Sequence, residues 1–256
     1  MGCPEALTLI RHDTSAYNVL GPVKEQSSLY LRFKKAYEQD PYSDRAIHLA
    51  QEVKEEFSLK VADHNTPLAE DSDKQAETMA KMLREKICIP AIIYVSPFVR
   101  TQETLLRMMK GWPELESVRV IEEERITEQD QGLAALYNDW RVFNVLNPEQ
   151  IELYNLQGRY RYRYPQGENI PDVRARLRSW VNTLTRDYGE QNVLAVTHHL
   201  TILSLKANLE RLGEAEFLRL DKEEKPINVG VTIYEKGMGK RGEEHLRLKI
   251  YNAKIY

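Results

Sequence analysis

A three-layer α/β/α sandwich with a mostly parallel central sheet is the fold class that this 256-residue chain predicts. Three features predict it. Residues 6–10, 91–95 and 193–196 are short apolar runs of the kind that a sheet buries on both faces. Helical patterns lie between them, with Ala76, Met79, Ala80 and Leu83 on one amphipathic face and Val173, Leu177, Trp180, Val181 and Leu184 on another. Each apolar run also ends on a polar, reactive residue, and the carboxyl ends of strands are where an open α/β sheet presents its chemistry.

Taken in order, the first strand covers residues 6–10 and leads into a charged, Tyr-bearing stretch with two helix candidates, LYLRFKKAYEQ and AIHLAQEVKEEF, split by Pro41. We read one domain over 1–256 with a helical insertion at about 19–63. Its place directly after the first strand predicts that it governs access to chemistry there. Residues 133–165 fall outside the strand and helix rhythm and are expected to be irregular. Pro171 opens the next helix, since a first helical turn tolerates proline, and Leu200, Leu203 and Ala207 mark another after His199. The tail alternates as two strands, 230–234 and 246–251, around KGMGKRG, a hairpin on the sheet edge.

A net charge of −3 provides no global attraction to nucleic acid or to an acidic membrane, so an anion site has to be local and its ligand small. No apolar stretch approaches the ~20 residues that span a bilayer. The two cysteines, Cys3 and Cys88, are too few for a disulfide framework and lack zinc-site spacing, which suits a reducing compartment. With no basic-then-apolar leader, the expected location is the cytoplasm.

The reactive residues at the strand ends form one constellation. Arg11 and His12 follow the first strand, and a neutral imidazole can attack phosphorus; an adjacent cation keeps it neutral by disfavouring imidazolium. Ser96 and Pro97 close the second run, and Arg100 falls in the first turn of the helix begun by VRTQET, where its planar fork can meet phosphate oxygens. The alternative there is a capped surface helix with a solvated arginine. His198 ends the third run and can face His12 if both strands are central. Metal ligation by His198 and His199 is disfavoured, because neighbouring strand residues point to opposite faces and no acidic or thiol partner recurs at ligand spacing. Glu128 is the least distinctive member, one carboxylate among Glu122, Glu123, Glu124 and Asp130.

In order and context these motifs resemble the histidine phosphatase superfamily, in its phosphoglycerate mutase-like branch. LTLIRHDTSAYN is similar to that family's first signature and carries Arg11, His12, Ser15 and Asn18; TPLAEDSDKQA resembles the following helix entry, SPFVRTQET the second arginine motif, ITEQDQG the acid loop and VTHH the second histidine motif. The resemblance implies that His12 becomes phosphorylated and that Arg11, Arg100 and His198 bind the phosphoryl group. It also implies that Glu128 protonates the leaving oxygen, with Asn18 on the substrate side, and that no metal or other cofactor takes part. Two positions depart from the pattern: Asp13 and His199 stand where the family usually has Gly. Unless it turns away, the Asp13 carboxylate repels phosphate.

Between Glu128 and His198, GRYRYRYPQGENIPDVRARL resembles the corresponding region of fructose-2,6-bisphosphatases and of broad-range acid phosphatases, which favours a phosphatase acting on a small phosphorylated metabolite. Arg159 matches a basic substrate contact of the bisphosphatase, whereas Asn155 and Ile170 stand where that enzyme has Arg and Tyr. The alternation of Arg159, Arg161 and Arg163 with Tyr160, Tyr162 and Tyr164 fits an extended segment with one basic and one aromatic face, or a solvated strand packed through its tyrosines. Mutase-type phosphoryl transfer and a non-catalytic phospholigand-binding module remain as alternatives.

Overall fold

The computed structural model describes residues 2–58, 60–72, 74–239 and 242–256. Two compact units divide the chain: Met1–Ser15, His64–Glu128 and Asp172–Tyr256 form the first, Ala16–Asp63 and Gln129–Pro171 the second.

The first unit holds one sheet of six strands: β1 (Ala6–Arg11), β2 (Ile92–Val95), β3 (Val120–Glu122), β4 (Asn192–Thr197), β5 (Val231–Met238) and β6 (Glu244–Ala253), in the order β3-β2-β4-β1-β5-β6. The β1, β2, β3 and β4 pairings are parallel, and β5 and β6 add an antiparallel hairpin at the edge. The Lys240 and Arg241 of its expected basic turn lie outside the described residues.

Successive side chains along a strand face opposite sides, and the core divides accordingly. Leu7, Leu9, Tyr94, Val193 and Ala195 meet Val173, Leu177, Trp180 and Leu184 of α8 (Ile170–Asp187), together with Ile202 and Leu205 of α9 (His199–Leu209). On the other face Ile10, Ile93, Val95, Leu194 and Val196 meet Ala76, Met79 and Leu83 of α4 (Gln75–Arg84) and Leu105 and Met108 of α5 (Val99–Gly111). These are the three layers that the sequence predicts. β3 and α10 (Glu214–Glu223) are additions to that reading.

The second unit is helical: α1 (Ala16–Gln26), α2 (Ser28–Gln39), α3 (Asp44–Phe57), α6 (Trp140–Leu146) and α7 (Pro148–Arg161). Residues 133–165, expected to be irregular, are therefore largely helical. Asp139 caps α6 through the backbone N–H groups of Arg141 and Val142, and Pro148 starts α7 where a missing N–H costs nothing. The Arg/Tyr alternation is helical as far as Arg161, and Tyr160, Tyr162 and Tyr164 are all buried, so the segment packs through its aromatic side.

Asp139 also holds this unit together. Its carboxylate accepts from Lys24 Nζ at 2.6 Å and Tyr30 OH at 2.5 Å. Burial works against the anion, but Lys24 and these hydrogen bonds outweigh it and hold Asp139 below the usual carboxylate range. Asp139→Ala is expected to cost about 3–5 kcal/mol, because it leaves Lys24 buried without its counter-charge. Pairing it with Lys24→Met should recover part of that loss. Urea unfolding of the single and double variants checks this, and a loss below about 1 kcal/mol for the single variant would rule out the ion pair as the anchor.

Candidate active site

β1 and β4 lie side by side in the middle of the sheet, with Arg11 opposite Thr197. The residues that leave these strands, His12 and His198, consequently meet at their carboxyl ends. The two buried rings lie 5.3 Å apart, centroid to centroid, at 60°.

His12 Nδ1 is 2.6 Å from the carbonyl oxygen of Asp13. A carbonyl only accepts, so Nδ1 carries the proton and the lone pair is left on Nε2. Asn228 Nδ2 donates to the same carbonyl at 3.1 Å and to the His12 carbonyl at 2.9 Å. Burial, then the charges of Arg11 and Arg100, hold His12 well below the ordinary histidine value. Burial, Arg100, His12 and Arg11 do the same for His198.

Those shifts set an acid limit on stability. The unfolded chain takes up a proton at each histidine near the ordinary value of 6.5, whereas the folded chain does not. Stability is therefore intact above that value and falls as pH drops toward the folded values, by about 1.4 kcal/mol per pH unit for each histidine. Urea unfolding between pH 7.5 and 5 should show this slope, flattened in a His12→Asn/His198→Asn variant. The same slope in both proteins would assign the acid sensitivity to other groups.

The remaining members surround the pair. Arg11 donates from Nη1 to the Pro226 carbonyl at 2.7 Å, its Nε is buried without a hydrogen-bond partner in the protein, and burial pushes the guanidinium down to about 10. Arg100, in the first turn of α5, is buried with its guanidinium 4.7 Å over the Phe98 ring, and Phe98 in turn packs on His198. Phe98 gives α5 no side-chain cap, so the capped helix with a solvated arginine does not occur. His198 pairs through Nε2 with Ser96 Oγ at 2.8 Å, and its Nδ1 has no partner within the protein.

Glu128 stands out from its neighbouring carboxylates by what fixes it. Arg176 donates to the carbonyls of Arg125, Thr127 and Glu128 at 2.6, 2.9 and 3.0 Å, while Thr197 and Thr201 donate to those of Ile126 and Thr127. The Glu128 carboxyl group accepts from Leu200 N–H at 3.2 Å in the first turn of α9. By contrast, Glu123 pairs with Arg125.

Both departures from the family pattern find partners away from the two rings. The Asp13 carboxylate accepts from Thr14 N–H at 2.7 Å and from Ala76 N–H, at the start of α4, at 3.2 Å. His199 Nε2 lies 2.9 Å from a carboxylate oxygen of Asp221 in α10. Arg11, His12, Arg100, Glu128 and His198 thus share the first unit, whereas Asn18, in α1, and Arg159, just past the Gly158 kink of α7, belong to the second. Ser96 and Asn228 are polar supports that the motifs did not single out for these contacts. Among the described residues, no cluster of His, Cys, Asp and Glu is arranged to hold a metal ion, and no helix is long and apolar enough to cross a membrane.

The sequence profile of the histidine phosphatase superfamily, branch 1, matches residues 45–241. The chain belongs to this superfamily. The match begins after Arg11 and His12, so their place beside the other motifs rests on the pairing of β1 with β4. Among superfamily relatives, a phosphoglycerate mutase-like protein of Arabidopsis thaliana is 32% identical over 179 residues, covering 62% of this chain and 61% of that protein. A second such protein of Arabidopsis thaliana is 30% identical over 156 residues, covering 57% and 46%. The chain thus spans about half the length of these relatives. The structure resembles a mycobacterial glucosyl-3-phosphoglycerate phosphatase with a TM-score of 0.61 at 18% identity, covering 97% of this chain and 99% of that one. It also resembles a putative α-ribazole-5′-P phosphatase of Escherichia coli with a TM-score of 0.67 at 14% identity, covering 98% and 97%. At such identities these two show the superfamily fold alone.

Proposed function

We propose that the chain is a phosphomonoester hydrolase that works without a metal, through a phosphohistidine at His12, on a small phosphorylated metabolite of the cytoplasm. The observation that carries this reading is the His12 ring, neutral, buried and pinned through Nδ1, facing His198 with Arg11 and Arg100 around it. The buried Arg11 Nε and His198 Nδ1 add support, since polar atoms left unpaired inside a protein are uncommon and suit an anionic ligand.

In the first step His12 Nε2 bonds to phosphorus as the ester P–O bond breaks, and the Glu128 carboxyl gives its proton to the departing oxygen. Arg11, Arg100 and His198 stabilise the charge on the equatorial oxygens of a loose transition state. Water then attacks phosphorus, Glu128 takes its proton, the Nε2–P bond breaks, and inorganic phosphate leaves with His12 neutral again.

Mutase-type transfer uses the same first step but hands the phosphoryl group to a second substrate. The resemblance to phosphoglycerate mutase-like proteins of Arabidopsis thaliana favours it as the second reading. A screen of sugar and aryl phosphates in H₂¹⁸O with a metal chelator separates the two. Hydrolysis yields inorganic phosphate carrying one ¹⁸O, whereas transfer yields an exchanged phosphoester with none. Failure to form either product or a phosphoenzyme would leave a binding module.

A further inference from the structure

Asp13 is a buried carboxylate one residue from the proposed nucleophile, and no step of the chemistry above uses it. Its contacts reach three separate parts of the first unit. The backbone N–H donates to Thr104 Oγ1 of α5 at 2.9 Å, and that hydroxyl donates on to the Arg100 carbonyl at 2.6 Å. One carboxylate oxygen accepts from Thr14 N–H and the other from Ala76 N–H. Ala76 N–H lies in the first turn of α4, where N–H groups lack helical acceptors and the dipole favours an anion. Arg107 of α5 stands 3.9 Å from that second oxygen. The Asp13 carbonyl takes the Nδ1 proton of His12.

We propose that Asp13 is a positioning residue for His12: its carboxylate ties the 13–14 peptide to the start of α4, which holds the carbonyl that fixes the His12 tautomer. The proposal rests on His12 being the nucleophile only for its kinetic consequence. The geometric logic is that a carbonyl directs an imidazole only if the peptide bearing it cannot rotate. The N–H of that peptide, on Thr14, is tied to the Asp13 side chain, its carbonyl also accepts from Asn228, and the Asp13 N–H on the preceding peptide is tied to α5. A glycine at position 13 would keep the carbonyl but lose both carboxylate bonds. It would also restore the backbone freedom that a side chain removes. The charge that Asp13 brings near an anion site is met by Arg107 and the α4 N-terminus, so the pocket need not repel phosphate.

The test compares wild type with Asp13→Asn and Asp13→Gly. Histidine ¹⁵N NMR of the free protein, with His12 assigned by its absence in His12→Asn, reads the tautomer without any need for turnover. Wild type should show the Nδ1–H form alone. Asp13→Gly should show a mixture of tautomers, and Asp13→Asn, which keeps one acceptor oxygen, an intermediate shift. In kinetics on an aryl phosphate, kcat should fall roughly 10- to 100-fold in Asp13→Gly with KM changed little, the usual penalty for a mispositioned reacting group. Unchanged His12 resonances in a folded Asp13→Gly protein, or lower thermal stability with the tautomer and kcat intact, would overturn the proposal and make Asp13 only a structural tie. Absence of turnover in wild type with the tautomer shift still present would overturn the proposed function and leave the positioning role standing.

Discussion

Replacing His12 with alanine is expected to lower turnover by roughly 10⁴- to 10⁶-fold, the scale seen when a covalent nucleophile is deleted. No other side chain at the end of β1 offers a lone pair in the same place: Arg11 is a cation held by Pro226, and both Asp13 carboxylate oxygens accept backbone N–H groups. Acid-labile, base-stable labelling from a ³²P-phosphoester should vanish in the variant while circular dichroism stays native. His198→Ala should retain a trace of labelling, since its proposed task is to stabilise charge and not to form the bond. If label persists in His12→Ala, the nucleophile lies elsewhere.

Glu128→Gln is expected to divide substrates by leaving group. A sugar alkoxide leaves poorly without a proton and should react on the order of 10²-fold slower or worse, whereas a nitrophenolate departs unaided and should lose much less. The amide keeps an oxygen to accept from Leu200 N–H, so the loop held by Arg176 should remain in place. Equal losses on both substrates would transfer the acid role to another of the nearby carboxylates.

Much of this arrangement was legible in the sequence because it is local. The strand-ending motifs place Arg11, His12, Ser96 and His198 at the carboxyl ends of buried strands, with Arg100 in the first turn of the helix that follows, and period-two burial then fixes which face each strand residue takes. What was not legible depends on partners distant along the chain. β3 has three residues, with Val120 and Glu122 exposed, too short and too polar for an apolar-run signal. In α7 the apolar residues Ile151, Leu153 and Leu156 do not share one face, and Leu153 and Leu156 are exposed, so periodicity could not find that helix. Asp13 reads only as a misfit in a signature until Ala76, 63 residues later, supplies the N–H that receives it. In the sequence only the family resemblance separates Glu128 from Glu122, Glu123 and Glu124; what distinguishes it physically, its contacts with Leu200 and Arg176, comes from the fold.

The position of β1 between β4 and β5 also has a consequence for how the protein is made. β1 is synthesised well before either strand that pairs with it, since both begin at residue 192 or later. Until those strands are made, Leu7, Leu9 and Ile10 therefore belong to a strand with two open edges and no core to enter. Pairings of such sequence separation are slow to close and leave apolar edges exposed to other chains. His12 cannot acquire its burial, its fixed tautomer or its partner His198 until β4 has been made, so unfinished chains are most prone to aggregate at β1, the strand that leads into His12.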